Sequence, residues 1–347
     1  MMRRTTDTEH TQEASQMTKE IGGYMELEHF RGEEKYGDLY KFNLGRTAFV
    51  WLLKNIPHDR VFIPEYICDS VPVSAEKAGY KVVRYRLDEE LKPVWGEEGA
   101  PSDNDILYLV SYYGQLTEEQ VRAYHVDYPV MIVDNAQAFY DAPVREPGIH
   151  TIYTARKYFG LSDGAYVATN APGAAEDYVR LDTDCSGSRM KHLSGRLEQN
   201  ARDYYSDMLA VSSTFSDAKP LKMSPLTENF LRAIDYNYVQ KKRQENYLTL
   251  SVHLSNSNPF THSMPSCPFA YPFYHENGIE LRKYLASQNI FVPTNWSYIL
   301  KTMPENSLEY SWSADILPLP VDQRYGREEM ETIADAIRSF DNKNSRQ

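Results

Sequence analysis

The chain has 347 residues, 41% hydrophobic and 25% charged, enough apolar material for a large core and two domains rather than one small binding module. Its formal net charge is -12 and no segment concentrates Lys and Arg, so the basic footprint of a nucleic-acid binder is missing. No run approaches the ~18 consecutive apolar residues of a membrane-spanning helix, and no membrane partner is expected.

Residues 1–20 are polar, lack the apolar core of a signal peptide and read as a disordered tail. Structure is expected from Ile21-Gly22-Gly23-Tyr24 onward. Strand-length runs rich in β-branched and aromatic residues follow at Arg60–Pro64, Lys81–Tyr85, Asp105–Val110, Val130–Asp134 and Gly164–Thr169. Helical patterns lie between them: Thr47–Asn55 after a glycine turn, Asp69–Gly79 ending on glycine, and Thr117–Tyr124 opening with a Thr-x-x-Gln capping pattern. This alternation predicts an α/β fold with a parallel sheet covered on both faces.

Beyond about residue 175 the periodicity predicts long helices at Glu198–Leu209 and Leu226–Leu250. Strand-like pieces at Tyr271–Tyr274 and Ile290–Pro293 flank a helix at Ile279–Ser287, and a last helix runs Arg327–Phe340. The expected division is a large domain over 21–235 and a small α+β domain over 236–347. The three cysteines, Cys68, Cys185 and Cys267, stand in no paired spacing, which fits a reducing cytoplasm. His125, His150, His253 and His262 show no metal-ligand spacing, so no metal is implied.

Three segments carry chemistry. Val133-Asp134-Asn135-Ala136-Gln137 ends an apolar strand on a carboxylate, at the edge where parallel sheets bind ligands; a turn or helix-cap aspartate is the plainer alternative. Lys157 lies 23 residues further on, in the aromatic segment Thr151–Gly160. Desolvation by Tyr158 and Phe159 would favour the neutral amine that attacks an aldehyde, although most lysines are solvated surface charges. Asn43-Leu44-Gly45-Arg46-Thr47 turns into a helix whose free N–H groups, with the Thr47 hydroxyl, suit a phosphate or form an ordinary cap.

Read in order, Ile21–Tyr24, Gly45–Ala48, Ile63–Cys68, Ser111–Gln115, Val133–Ala138, Thr154–Lys157 and Leu317–Tyr325 resemble the DegT/DnrJ/EryC1/StrS aminotransferases over about residues 21 to 340. The most specific part is the Asp-x-Ala-Gln segment coupled to the downstream lysine. The resemblance implies a fold type I enzyme: a mainly parallel, seven-stranded-type sheet, a small C-terminal domain, pyridoxal 5'-phosphate as cofactor and a homodimer. By it, Lys157 holds the cofactor as a Schiff base and Asp134 keeps its ring nitrogen protonated. Gln137 lies near the ring oxygen, Gly45, Arg46, Thr47 and Thr154 hold the phosphate, and Tyr113 belongs to the substrate site.

The implied reaction moves an amino group from an amino acid, with glutamate the expected donor, to a keto acceptor such as a nucleotide-linked keto-sugar. Cys68 stands where the family places a ring over the cofactor, leaving Tyr66 as the candidate replacement. Thr154-Ala155-Arg156-Lys157 replaces the usual Ser-Phe-His-Pro-x-Lys, and the asparagine region that crosses the dimer is not matched. Arg324 offers a bidentate clamp for a substrate carboxylate, or a structural salt bridge. The rival readings are a cofactor-dependent sugar-modifying enzyme that does not transaminate, and a non-catalytic scaffold that keeps the fold.

Overall fold

A computed structural model describes residues 21–260 and 262–344; the expected tail lies outside the described residues. The first half runs β1 (Tyr40–Phe42), α1 (Gly45–Lys54), β2 (Arg60–Pro64), α2 (Ser70–Lys77), β3 (Lys81–Leu87), β4 (Pro93–Val94), β5 (Ile106–Val110), α3 (Glu118–Asp127), β6 (Met131–Asp134), β7 (Ile149–Thr154) and β8 (Ala165–Ala168). The second half runs α4 (Ala174–Val179), α5 (Lys191–Glu198), α6 (Tyr205–Ser213), α7 (Pro225–Leu231), α8 (Tyr236–Leu254), β9 (Tyr271–Tyr274), α9 (Gly278–Ser287), α10 (Ile299–Thr302), α11 (Leu308–Asp315), β10 (Ile316–Leu319) and α12 (Arg327–Asn344).

The main sheet has the order β1-β8-β7-β6-β5-β2-β3-β4. Its centre, β3-β2-β5-β6-β7, is parallel, while β8, β1 and β4 are antiparallel additions at the edges. The two-residue β4 is the strand beyond the seven-stranded type. The sheet grows one way from β2 to β3 and the other way from β5 to β7. Their carboxyl ends therefore flank a crevice at the reversal, the usual ligand position in open parallel sheets.

Successive side chains divide between two cores. Val61, Ile63, Ile106, Tyr108, Ile132 and Ile152 pack with Phe49 and Leu52 of α1 and Ala75 of α2. Phe62, Leu107, Leu109, Met131 and Val133 pack on the other face with Val121 of α3 and with Ile299 and Trp312. Burial on both faces is why these strands read as unbroken apolar runs.

Several predicted elements are corrected. Leu226–Leu250 is two helices: Ser224 caps α7 by accepting from Thr227 N at 3.2 Å, and Asp235 caps α8 by accepting from Tyr238 N at 2.9 Å. Those caps define a break that apolar periodicity overlooks. Glu198–Leu209 is interrupted because Gln199 and Asn200 adopt extended backbone between α5 and the turn preceding α6. Ile290–Pro293 is not a strand; β9 pairs instead with β10, residue 316 opposite 274. The C-terminal core joins Leu250, Leu281, Leu317, Ile333 and Ile337, yet the fully buried Glu309 of α11 reaches back to Arg86 of β3 at 2.7 Å.

At the amino ends of the central strands, Arg60 of β2 donates to Asp105, just before β5, through Nη2 at 2.6 Å and through Nε. The Arg60 hydrogen bonds, helped by those from Ser102 and opposed by burial, hold the Asp105 carboxyl down to about 2. A depressed folded-state value contributes stability above the unfolded value near ~3.9, and that contribution is lost as pH falls through about 2. Asp105→Asn is expected to be less stable than the parent at neutral pH, with the gap closing between about pH 4 and 2; urea unfolding across that range measures it.

Candidate active site

Asp134 is the last residue of β6, opposite Val110 of β5 and Ile152 of β7. Side chains two apart on a strand share a face, so Asp134 follows Ile132 onto the α1 side. Its Oδ2 accepts from the Tyr108 hydroxyl at 2.9 Å, and its Oδ1 accepts from Ala136 N at 2.8 Å. The first bond orients the carboxylate from the neighbouring strand; the second turns the chain out of the sheet. Tyr108 was not singled out by the sequence, because a tyrosine in an apolar run reads as core; its ring lies 5.0 Å from that of Phe49 in α1.

Thr154 ends β7 on the face of Ile152, and a Cβ added to Gly45 would lie 3.9 Å from Thr154 Cβ. The start of α1 and the end of β7 are thus side by side. Leu44 provides no side-chain cap, and no acceptor among the described residues takes the N–H of Gly45, Arg46 or Thr47. These are the donors that an anion meets at a helix start. The Thr47 hydroxyl is not part of that open set: it is buried and bonded to Asn43 Oδ1 and, at 2.9 Å, to Leu44 O. Only the Thr47 amide remains available.

Beyond Thr154 a single tight turn, Ala155–Lys157, carries the lysine. Side chains in such a turn project about 120° apart. Tyr158 and Phe159 accordingly point into a buried aromatic core with Phe139 and Tyr153, whereas Lys157 is solvent-exposed in the single chain. This corrects the expectation that Tyr158 and Phe159 desolvate the amine. The aromatic ring recorded against Lys157 Nζ is Phe269, whose centroid is 5.7 Å away. Among the described residues Lys157 has no acidic partner.

The lysine turn is fastened to the rest of the site through Tyr158. Its hydroxyl donates to Gln137 O at 2.8 Å, tying it to the Asp134 loop. Its carbonyl accepts from Arg243 Nη2 at 3.1 Å and Gln323 Nε2 at 2.9 Å. Arg243, 1% exposed, also donates to Gln323 Oε1 and to the carbonyls of Pro268 and Phe269, and it lies 4.5 Å over the Tyr158 ring. An arginine within a charged helix gives no sequence signal for this role.

Other expected site residues are enclosed. Tyr66 is fully buried among Tyr112, Trp296 and Trp312, so its ring is not a stacking surface; the apolar face formed by the C-terminal segment captures it. Tyr113 is buried with φ 52°, and its hydroxyl accepts from Asn295 Nδ2 at 3.2 Å. The following Gly114, at φ 75°, admits no Cβ, which would fall 2.9 Å from Pro265. Gln137 is buried, with Oε1 taken by Tyr113 N at 2.8 Å. The Arg324 fork is occupied by Asp322, at 2.6 and 2.9 Å, the structural pair rather than an open carboxylate clamp. Cys68 is partly exposed, with Sγ 3.1 Å from Ser70 Oγ.

Two further polar groups follow the carboxyl ends of β5 and β7. Ser111 Oγ is buried without a partner beside β6, where Ser111 N donates to Asp134 O at 3.0 Å. Arg156 is drawn down to about 10 by burial and by the positive charges of Arg46 and Arg189, against the attraction of Asp163. Among the described residues no three His, Cys, Asp or Glu side chains gather to hold a metal ion, and no helix is long and apolar enough to cross a membrane.

The sequence matches no protein-family model and no curated protein. The structure does find counterparts. It is similar to S. venezuelae DesV, solved in complex with a ketimine intermediate, with a TM-score of 0.61, 19% identity and 90% of each chain covered. It is similar to a DegT DnrJ EryC1 StrS aminotransferase from Brucella abortus (TM-score 0.60, 15% identity, covering 87% of this chain and 85% of that one). The sugar aminotransferase CalS13 from Micromonospora echinospora gives 0.60, 12% identity and 87% of each chain. At such identities the likeness establishes the fold: the chain has the architecture of these aminotransferases, the group its motifs resemble.

Removing the Arg243 guanidinium takes the donor from the carbonyls of Pro268 and Phe269 and from Gln323 Oε1 at once, and leaves the Tyr158 carbonyl to Gln323 alone. Arg243→Met is expected to cost more than about 3 kcal/mol in urea unfolding.

Proposed function

We propose that the chain is a pyridoxal-phosphate-dependent aminotransferase that moves an amino group from an amino acid, glutamate in the first instance, to a keto-sugar acceptor. One observation carries the reading: the strand-end carboxylate of β6 and the open start of α1 lie on one side of the sheet, and the lysine sits in the turn that directly follows the adjacent β7. The residues present fit the cofactor. The free amides of Gly45, Arg46 and Thr47 suit its phosphate, with the Thr154 hydroxyl beside them, and Asp134 suits its ring nitrogen. The partnerless Ser111 Oγ leaves a polar contact to be filled. Gln137 retains its amide nitrogen for a ring substituent.

Pyridoxal phosphate, when bound, supplies an electron sink that makes the donor's α-proton removable. The protein's own residues provide the rest. Asp134 holds a proton on the ring nitrogen by charge pairing, and Tyr108 and Ala136 N keep its carboxylate aimed. Lys157 would hold the cofactor's aldehyde, and its amine would take the proton from the donor's α-carbon. Arg243 and Gln323 limit the travel of that amine by holding the Tyr158 carbonyl.

The exposure of Lys157 in one chain, together with exposed Ile21, Tyr24 and Met25, supports a homodimer in which a second copy covers the site. The cytoplasm is the proposed compartment.

Absorbance tests the reading. The purified chain with pyridoxal phosphate should show a yellow band that borohydride reduction removes and that Lys157→Ala lacks. Glutamate should bleach it towards the amine form of the cofactor; a chain that takes up no cofactor would instead be the non-catalytic scaffold. Asp134→Asn should keep most cofactor affinity while turnover falls by a factor of roughly ten to a thousand; an Asp134→Asn enzyme running at the parent rate would refute the assignment.

A further inference from the structure

The rim that carries Lys157 holds more positive charge than the reading above uses. Arg46, from the first turn of α1, reaches Phe215 O through Nη1 at 3.4 Å. Arg156, immediately before Lys157, lies with its guanidinium 4.5 Å over the ring of the same Phe215. Two cations from different elements thus meet at one residue, and among the described residues neither forms an ion pair with a carboxylate. Asp163 attracts Arg156 through space, but no acid contacts either guanidinium to offset their mutual repulsion.

Unmet donors accompany them. Arg156 Nε is buried without an acceptor, as are Arg189 Nε and His192 Nδ1. The charge of Arg189 acts on Arg156 and that of Arg156 on His192, so all three belong to one neighbourhood. Asp184 occupies the other side of the Arg189 fork at 2.6 Å, which leaves Arg46 and Arg156 open. Each stranded buried donor costs about 1–3 kcal/mol, and like charges add to it. A bound anion relieves both costs together, and a guanidinium fork matches a phosphate oxygen pair.

We infer that Arg46 and Arg156 form a clamp for a phosphate ester at the start of α1, next to the turn that carries Lys157, resting on the reading of Lys157 as the reactive amine. Arg156 stands in this chain's Thr154-Ala155-Arg156-Lys157, immediately before the lysine. Two sources carry the same chemistry: the phosphate of the aldehyde cofactor, and a phosphate or diphosphate on the acceptor. The free amides at the start of α1 already suit one phosphate, and two additional positive charges suit a ligand with further negative charge.

The test is equilibrium binding to the full-length chain, free of cofactor, with inorganic pyrophosphate as probe. Arg156→Met is expected to weaken binding roughly ten- to a hundredfold, Arg156→Lys less, and Arg122→Gln, on the distant α3, not at all. Pyridoxal phosphate and pyridoxal are then titrated in parallel. Loss of affinity for the phosphorylated aldehyde alone assigns the clamp to the cofactor. Unchanged cofactor affinity, with weaker binding of pyrophosphate and of uridine diphosphate, assigns it to the acceptor. Arg46→Met repeats the measurement should Arg156→Met fail to fold, as judged by circular dichroism. Pyrophosphate binding that is absent in the parent, or equal in parent and both arginine-to-methionine variants, overturns the clamp. Arginine-dependent pyrophosphate binding by a chain that never turns yellow would sink the aminotransferase reading while keeping the clamp.

Discussion

A guanidinium sealed inside the protein, with no carboxylate in contact, holds the edge that carries the candidate site together. Arg243 satisfies its donors on peptide and amide oxygens from three stretches of chain that are distant in sequence. Burying a cation is tolerable only when such partners are all in place. The geometry of the lysine turn, the segment leading into β9 and the segment after β10 is therefore fixed as a unit. Because the Tyr158 hydroxyl carries that unit on to Gln137 O, the distance between lysine and strand-end aspartate is set by core interactions rather than by a surface loop.

The tyrosines explain much of the remaining order. Tyr108, Tyr158 and Tyr36 each lay an apolar ring in a core and send a hydroxyl to a loop: to Asp134, to Gln137 and to Phe139 O at 2.6 Å. In each case ring and hydroxyl act on different layers, which lets a closely packed sheet position polar groups at its rim. The 27 tyrosines of the chain acquire a structural meaning here.

The parallel centre of the sheet was legible because strands covered on both faces leave unbroken apolar runs, and the capping pattern at Thr117 appears as written, with Thr117 and Gln120 exchanging bonds. The position of Asp134 at the end of an apolar strand was legible too. What sequence order could not convey was direction. Tyr66 looked available on an extended segment, yet Trp296 and Trp312, more than two hundred residues later, close over it. Arg324 left a clamp and a structural pair open, and its neighbour Asp322 decides for the pair by taking the fork. Nothing in the sequence sets Arg243 or Arg156 apart from a surface charge; the packing around them does.

Both margins of the main sheet are blunted. One ends in the two-residue β4, opened by Pro93, and the other in the three-residue β1, running against β8. A margin this short, with a proline lacking an amide proton, gives a neighbouring chain almost no ladder to extend. Copies of this protein are thus steered away from edge-to-edge growth, and any association has to be made through side-chain surfaces, where shape and charge can discriminate a proper mate from an accidental one.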